Sequence, residues 1–238
     1  MRRAAGVLAM AVLLIAATPT PAAFGGWAVV TLQDVPEYLE VGTPTTLSFK
    51  IRQHGETLLD DVSPSVILKQ SDSFLSRFFG RDRVTAVRGS EPGVYEATIT
   101  PSEVGEVSVT IDTDLARWKT KLLPFRVVAA GETPLPMASH ERGSQLFAAK
   151  GCATCHAKKD VAEFADWQII RVGPDLMGRS FPADWLAQKI ADPARYRGAM
   201  TNGAPVMPTL TLDEREIAAL VSFLNDGHVM TETDGDEQ

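Results

Sequence analysis

Apolar and polar positions alternate through the first half of the chain, and a helical repeat replaces the alternation in the second. Between residues 27 and 129 seven apolar segments recur, separated by turn residues: "WAVVTL", "TTLSFKIR", "PSVILK", "RVTAVR", "VYEATI", "GEVSVTID" and "KLLPFRVV". In "TTLSFKIR", Leu47, Phe49 and Ile51 fall on one face, because successive side chains of a strand point to opposite sides. "VYEATI" and "EVSVTI" alternate in the same way. In "EPGV", Pro92 and Gly93 occupy the central positions where a type II turn needs a fixed φ and then a positive one. Short strands at this spacing predict an all-β sandwich over residues 27–130, and no cysteine pair staples it.

At "GETPLPMAS" the pattern changes. Its Pro and Gly content predicts a linker over residues 131–138 between two separable halves. "HERGSQLFAAKG" reads as a helix with Gly143, Leu146, Phe147 and Lys150 on one side. "PADWLAQKIADP" reads as a second, with Pro182 near its first turn and a stop before Pro193. In "TLDEREIAALVSFLN", Thr211 and Glu214 have capping-box spacing. Ile217, Leu220, Val221 and Leu224 then follow at i, i+3, i+4 and i+7, which gives one apolar face. These segments predict an all-α domain over 139–228. The tail, 229–238, ends in the acidic "TETDGDEQ", which has no apolar residue to pack.

The N-terminus belongs to neither domain. Arg2 and Arg3 precede the uncharged run "AAGVLAMAVLLIAA" and then "TPTPAAFGG", the order of a secretory signal. The run of about 14 residues is shorter than the roughly 20 that span a bilayer. Residues 1–23 are therefore expected to be a cleaved export signal, with an uncleaved membrane tether as the alternative. The chain of 238 residues carries a formal charge of −7, which offers no electrostatic footprint for nucleic acid.

Export changes the meaning of the two cysteines, Cys152 and Cys155 in "KGCATCHAKK". A thioredoxin-like dithiol needs a surrounding βαβ pattern, and the flanks here are helical. A structural zinc site needs four ligands, and His54, His140 and His228 form no second cluster. A disulfide across two intervening residues closes too small a loop to stabilise much. The remaining reading is covalent haem c. Two thiols three residues apart reach the two vinyl groups of a porphyrin, and His156, directly after the second thiol, lies beneath the iron.

Residues 139–225 resemble a class I c-type cytochrome domain, through "GSQLFAAKGCATCH", "VGPDLMGR", "PVMPTLT" and "EIAALVSFL" in that order. The resemblance implies a small helical fold around one haem. Its first and last helices cross where Gly143 and Phe147 meet Phe223 and Leu224. It implies Met207, followed by Pro208 and the start of the final helix, as the sixth ligand, with Met200 in the same loop as the alternative. It implies that the Pro174 carbonyl accepts the His156 Nδ1 proton, a bond that orients the ring and raises its basicity. Arg179 and Trp185 are candidate donors to haem propionates, against ordinary readings as a solvated arginine and a core tryptophan.

The β half resembles the small Ig-like domains of the YtkA/FixH type, through "VGTPTTLSFKIRQHGETLLDDVSPSV" and "GVYEATITPSEVGEVSVTI". It carries no catalytic signature and no His/Met cluster, so a scaffold or docking role is expected. His54 in "RQHGE" reads as a solvated turn residue. In "SDSFLSRFFGRDR", Phe74, Leu75, Phe78 and Phe79 lie beside Arg77, Arg81 and Arg83. That segment is either a cap on the sandwich or an exposed docking patch. Together these features predict an exported, periplasmic monohaem electron carrier. It would not be an enzyme, and its partner would be a respiratory redox protein. The alternatives are a haem enzyme or gas sensor with a labile sixth ligand, and an assembly or structural subunit.

Overall fold

A computed structural model of the chain describes residues 26–70, 82–115, 118–158, 161, 170–196 and 207–225. The segment expected to be an export signal, most of the Phe/Arg segment, Met200, His228 and the acidic tail lie outside the described residues.

The N-terminal half is built from two sheets. Its strands are β1 (Ala28–Leu32), β2 (Tyr38–Glu40), β3 (Thr45–Gln53), β4 (Thr57–Leu58), β5 (Ser65–Gln70), β6 (Asp82–Thr85), β7 (Val87–Arg88), β8 (Val94–Ile99), β9 (Gly105–Asp112), β10 (Lys119–Lys121) and β11 (Phe125–Val128). One sheet runs β1-β3-β8-β7, with β4 added to β3; the other runs β2-β11-β9-β5-β6, with β10 added to β9. The β2–β11 pairing is parallel and the others are antiparallel. Phe49 lies opposite Tyr95 and Leu47 opposite Ala97. These residues share one apolar core with Val66, Val109, Ile111 and Phe125 of the second sheet. At the expected turn, the Val94 N–H donates to the Glu91 carbonyl at 3.2 Å, and Gly93 has φ of 69°.

Two predicted strands divide. "RVTAVR" breaks at Ala86 because β6 pairs with β5 in one sheet and β7 with β8 in the other. "KLLPFRVV" breaks over residues 122–124, between β10 and β11, where Pro124 has no N–H to give a ladder. β2 and β4 are too short for periodicity to reveal. Arg83, the last residue of the Phe/Arg segment, donates to Ser65 Oγ at 2.6 Å and pairs with Asp112 at 3.2 Å.

Among the described residues the C-terminal half contains helices only. They are α1 (Ser139–Ala149), the single turn α2 (Cys152–Cys155), α3 (Ala183–Ala191), a 3₁₀ turn (Pro193–Tyr196) and α4 (Glu214–Leu224). α1 packs on α4. A Cβ on Gly143 would stand 2.5 Å from Phe223 Cβ and 2.7 Å from the Ala219 carbonyl carbon, so the crossing requires glycine. Phe147 meets Phe223 at 5.4 Å between ring centroids, and His140 packs edge-on against the same ring at 5.4 Å. The capping box of α4 lies two residues beyond the predicted one. Asp213, not Thr211, accepts from the Glu216 N–H at 2.7 Å, and Glu216, not Glu214, answers to the Asp213 N–H at 3.3 Å. An ionised carboxylate is the stronger acceptor for an unsatisfied helix donor, which favours Asp213 over a hydroxyl. The face α4 buries is Ala219, Leu220, Phe223 and Leu224, with Ile217 and Val221 only partly covered.

Residues 131–138 form neither helix nor strand, yet the two halves are bonded to each other. Arg142 of α1 donates to the Val35 carbonyl at 2.6 Å and to that of Pro36 at 3.4 Å. Lys150, almost wholly buried, donates to the Gln33 carbonyl at 2.7 Å and pairs with Glu216 at 3.0 Å. Gly151 has φ of 84°, and a Cβ there would stand 2.6 Å from both Val29 Cγ1 and the Val30 carbonyl oxygen. Linker composition marks where the chain crosses between halves. It carries no information on whether their surfaces fit.

Candidate functional site

The site forms around α2. Gly151 ends α1 in the left-handed region, which glycine adopts without strain, and lets Cys152–Cys155 turn back as one helical turn. His156 leaves that turn in extended conformation with its N–H on the Cys152 carbonyl at 3.0 Å. The imidazole Nδ1 lies 2.9 Å from the Pro174 carbonyl oxygen, the pair that the family resemblance implies. Held in that bond as the donor, Nδ1 leaves Nε2 free to ligate. Two backbone bonds pin the proline segment beneath the ring: Gly173 N–H to the Cys155 carbonyl at 3.1 Å, and Leu176 N–H to that of Ala157 at 2.9 Å.

Gly173 is a site residue that sequence reasoning passed over. A Cβ on it would stand 2.6 Å from His156 Nδ1 and 2.9 Å from Nε2, so the ring rests directly on this glycine. The signal was present in "VGPDL", but nothing local distinguishes a glycine under a ring from one in a loop.

His156 opens onto two adjoining cavities. One, of about 180 Å³, is apolar. Phe147 of α1, Leu186 and Ile190 of α3, and Leu220 and Leu224 of α4 supply its walls. Cys152, His156, Pro174, Arg179, Trp185 and Met207 also line it, which brings six of the seven predicted residues together. The seventh, Cys155, lines the second cavity, of about 280 Å³, again with Cys152, His156, Pro174 and Met207. Trp185 is not a core residue: it is 42% exposed and stacks on Phe181 at 5.7 Å. Met177 is exposed and lines neither cavity.

Electrostatics here favour neutral groups. Burial, with a smaller push from Cys155, raises the Cys152 thiol to about 12, and burial raises Cys155 to about 11. Both are free thiols. Burial lowers the His156 pKa; its bond to Pro174 opposes the shift and Lys189 adds to it. The imidazole is thus kept in its neutral, ligating form. Among the described residues no three His, Cys, Asp or Glu side chains gather as a metal site. Two neutral thiols, an oriented imidazole and a thioether around an apolar slot are instead the donor set that a covalently held porphyrin requires.

The fold and site define a small helical haem-protein domain attached to a β domain. Residues 138–224 match the family described as cytochrome C oxidase, cbb3-type, subunit III, and this part of the chain is a class I c-type cytochrome domain. The family implies covalently bound haem c and a role in electron transfer. No curated protein matches the chain. Among solved structures, it is similar to a candidate glycoside hydrolase from Bacteroides vulgatus, with 18% identity over 40% of this chain and 17% of that one, at a TM-score of 0.29. It is similar also to the Lin-41 filamin domain, with 13% identity over 42% and 91%, at 0.32. A superoxide reductase from Ignicoccus hospitalis shares 13% identity over 42% and 80%, at 0.29. TM-scores this low assign no fold.

Proposed function

We propose that the protein is an exported, periplasmic carrier of single electrons in a respiratory chain. It holds one haem c through Cys152 and Cys155, with His156 and Met207 as axial ligands. The observation that carries this reading is the shared cavity. His156, oriented by the Pro174 carbonyl, opens onto two adjoining cavities that Cys152 and Met207 also line, and Cys155 lines the second of them. When bound, haem c supplies a one-electron iron couple.

The residues of the chain do the rest. Cys152 and Cys155 anchor the macrocycle edge. Pro174 keeps the Nδ1 proton, so Nε2 remains a base, and Gly173 gives the ring its seat. Phe147, Leu186, Leu220 and Leu224 exclude water, which favours the less charged, reduced state. Arg179 and Trp185, at the rim, offer N–H donors to carboxylates. Met207 would serve with His156 as an iron ligand, which would leave no open site for substrate and argues for a carrier rather than an enzyme. Thioether and imidazole ligation together would raise the potential relative to histidine alone. The partner is a redox protein of a respiratory complex, with an oxidase suggested by the family's description. The β domain serves as its scaffold or docking element.

The test uses the full chain, exported in a host that matures c-type cytochromes. Haem should survive acid–organic extraction, titrate as a single one-electron couple and resist CO. Cys152→Ala with Cys155→Ala should yield no covalent haem. Covalent haem in that double variant would refute the attachment. Ready CO binding by the unaltered protein would favour a sensor or enzyme with a labile sixth ligand.

A further inference from the structure

β1 departs from the rule of its own sheet. An edge strand of a sandwich buries alternate residues, yet all five residues of Ala28–Leu32 are buried. Ala28, Val30 and Leu32 belong to the sandwich core, while Val29 and Thr31 point the other way. Val29 is nevertheless only 3% exposed, because Gly151 of the cytochrome domain lies against it. The cavity that contains Cys155 is also lined by Val29, His54 and Gly55 of the β domain. Cys155 is absent from the apolar cavity, which residues of the C-terminal half alone line. Whatever is attached at Cys155 therefore faces the β1 edge and the β3–β4 turn.

That turn is shaped for close approach. His54 has φ of 53° and Gly55 φ of 80°, so the hairpin reverses tightly. The His54 ring packs on Trp27 at 5.5 Å, and Gly55 is buried. Arg142 and Lys150 bind three carbonyls of the segment after β1, between Gln33 and Pro36, and so hold this wall against α1.

Building on the haem reading above, we infer that the β domain is part of the haem site. Val29 and Gly55 are buried against the cleft beside Cys155, the exposed His54 ring stands at its rim, and together they limit water at that edge of the macrocycle. The domain is thus a wall of the cofactor pocket as well as a neighbour, and the interdomain bonds help to set the reduction potential. Burial of a haem edge disfavours the more charged, oxidised state.

The experiment compares NMR spectra of the full haem-loaded chain in its reduced and oxidised forms. Val29 methyl and His54 ring protons should shift on oxidation, while methyls across the sandwich, such as those of Leu68, should not. In Arg142→Ala with Lys150→Met the Val29 and His54 shifts should shrink and the midpoint potential should fall. Unshifted Val29 and His54 signals, beside strongly shifted His156 and Met207 signals, overturn the wall while leaving the haem reading intact. A chain that carries no haem after maturation overturns both.

Discussion

Gly143→Ala places one methyl group at the α1–α4 crossing. Its Cβ would stand 2.5 Å from Phe223 Cβ and 2.7 Å from the Ala219 carbonyl carbon. Carbon atoms rest at about 3.5–4.0 Å, so the helices must part by roughly 1 Å. The Ala219 obstacle is backbone, and no change of rotamer removes it. Overpacking of this kind costs about 1–3 kcal/mol, and a backbone clash belongs at the upper end. Against this, alanine gains about 1 kcal/mol over glycine within a helix. The net loss is about 2 kcal/mol, which for a protein of this size lowers Tm by about 4–8 °C. The parting also moves Phe147, Leu220 and Leu224, which line the haem slot. Thermal unfolding of the haem-loaded protein, followed by circular dichroism, checks the sum. A Tm equal to or above that of the unaltered protein would refute the reasoning, because helix propensity would then have prevailed and the crossing would have slack.

Met207→Ala should lower the midpoint potential, abolish the optical band of methionine-to-iron bonding and open the site to CO; the same losses in Met200→Ala instead would assign the ligand to the other methionine. Gly173→Ala should retain covalent haem, since both thiols are untouched, but push the His156 ring off Pro174 and shift the potential and the low-spin EPR spectrum of the oxidised protein. Asp112 is partly buried, which alone would raise its pKa. The Asp114 N–H, Lys119 and Arg83 outweigh that effect and hold it below the ordinary carboxylate value. The resulting stabilisation is present above the unfolded-state pKa and is lost as pH falls through the folded value. Asp112→Asn should therefore cost about 1 kcal/mol at neutral pH and nothing in acid, as read by urea titrations at the two pH values.

Much of the molecule was legible because the relevant signals are local. Alternation over "TTLSFKIR" and "GEVSVTID" yields strands because side-chain period is a property of the strand itself. Five adjacent residues place two thiols and an imidazole on one turn without help from elsewhere in the chain. The helices bounded by Ser139–Ala149 and Glu214–Leu224 follow from one apolar face each. The cap of α4 was misread because Thr211 and Asp213 both offer acceptors, and backbone conformation, not spacing, decides which is used.

Other features depended on distant segments meeting. The bond from His156 to Pro174 and the seat on Gly173 span 17 or 18 positions, and only the path of the intervening chain fixes their contact. "RVTAVR" crosses from one sheet to the other, a switch that no period records. The β1 run "AVVTL" did carry a trace of its surroundings, since a strand without alternation must be covered on both sides. What covers it was not in the run. That depended on Gly151, Arg142 and Lys150 arriving from more than 100 positions away, where a glycine without a Cβ lets two backbones touch and a half-buried arginine and a buried lysine find carbonyl partners. The sequence by itself thus determined the longer strands, the helices and the turn that carries both thiols, all set by interactions within a few residues. Only the tertiary structure decided that the β domain stands against the cleft beside Cys155, because a surface becomes a wall through the shape and hydrogen bonding of what it meets.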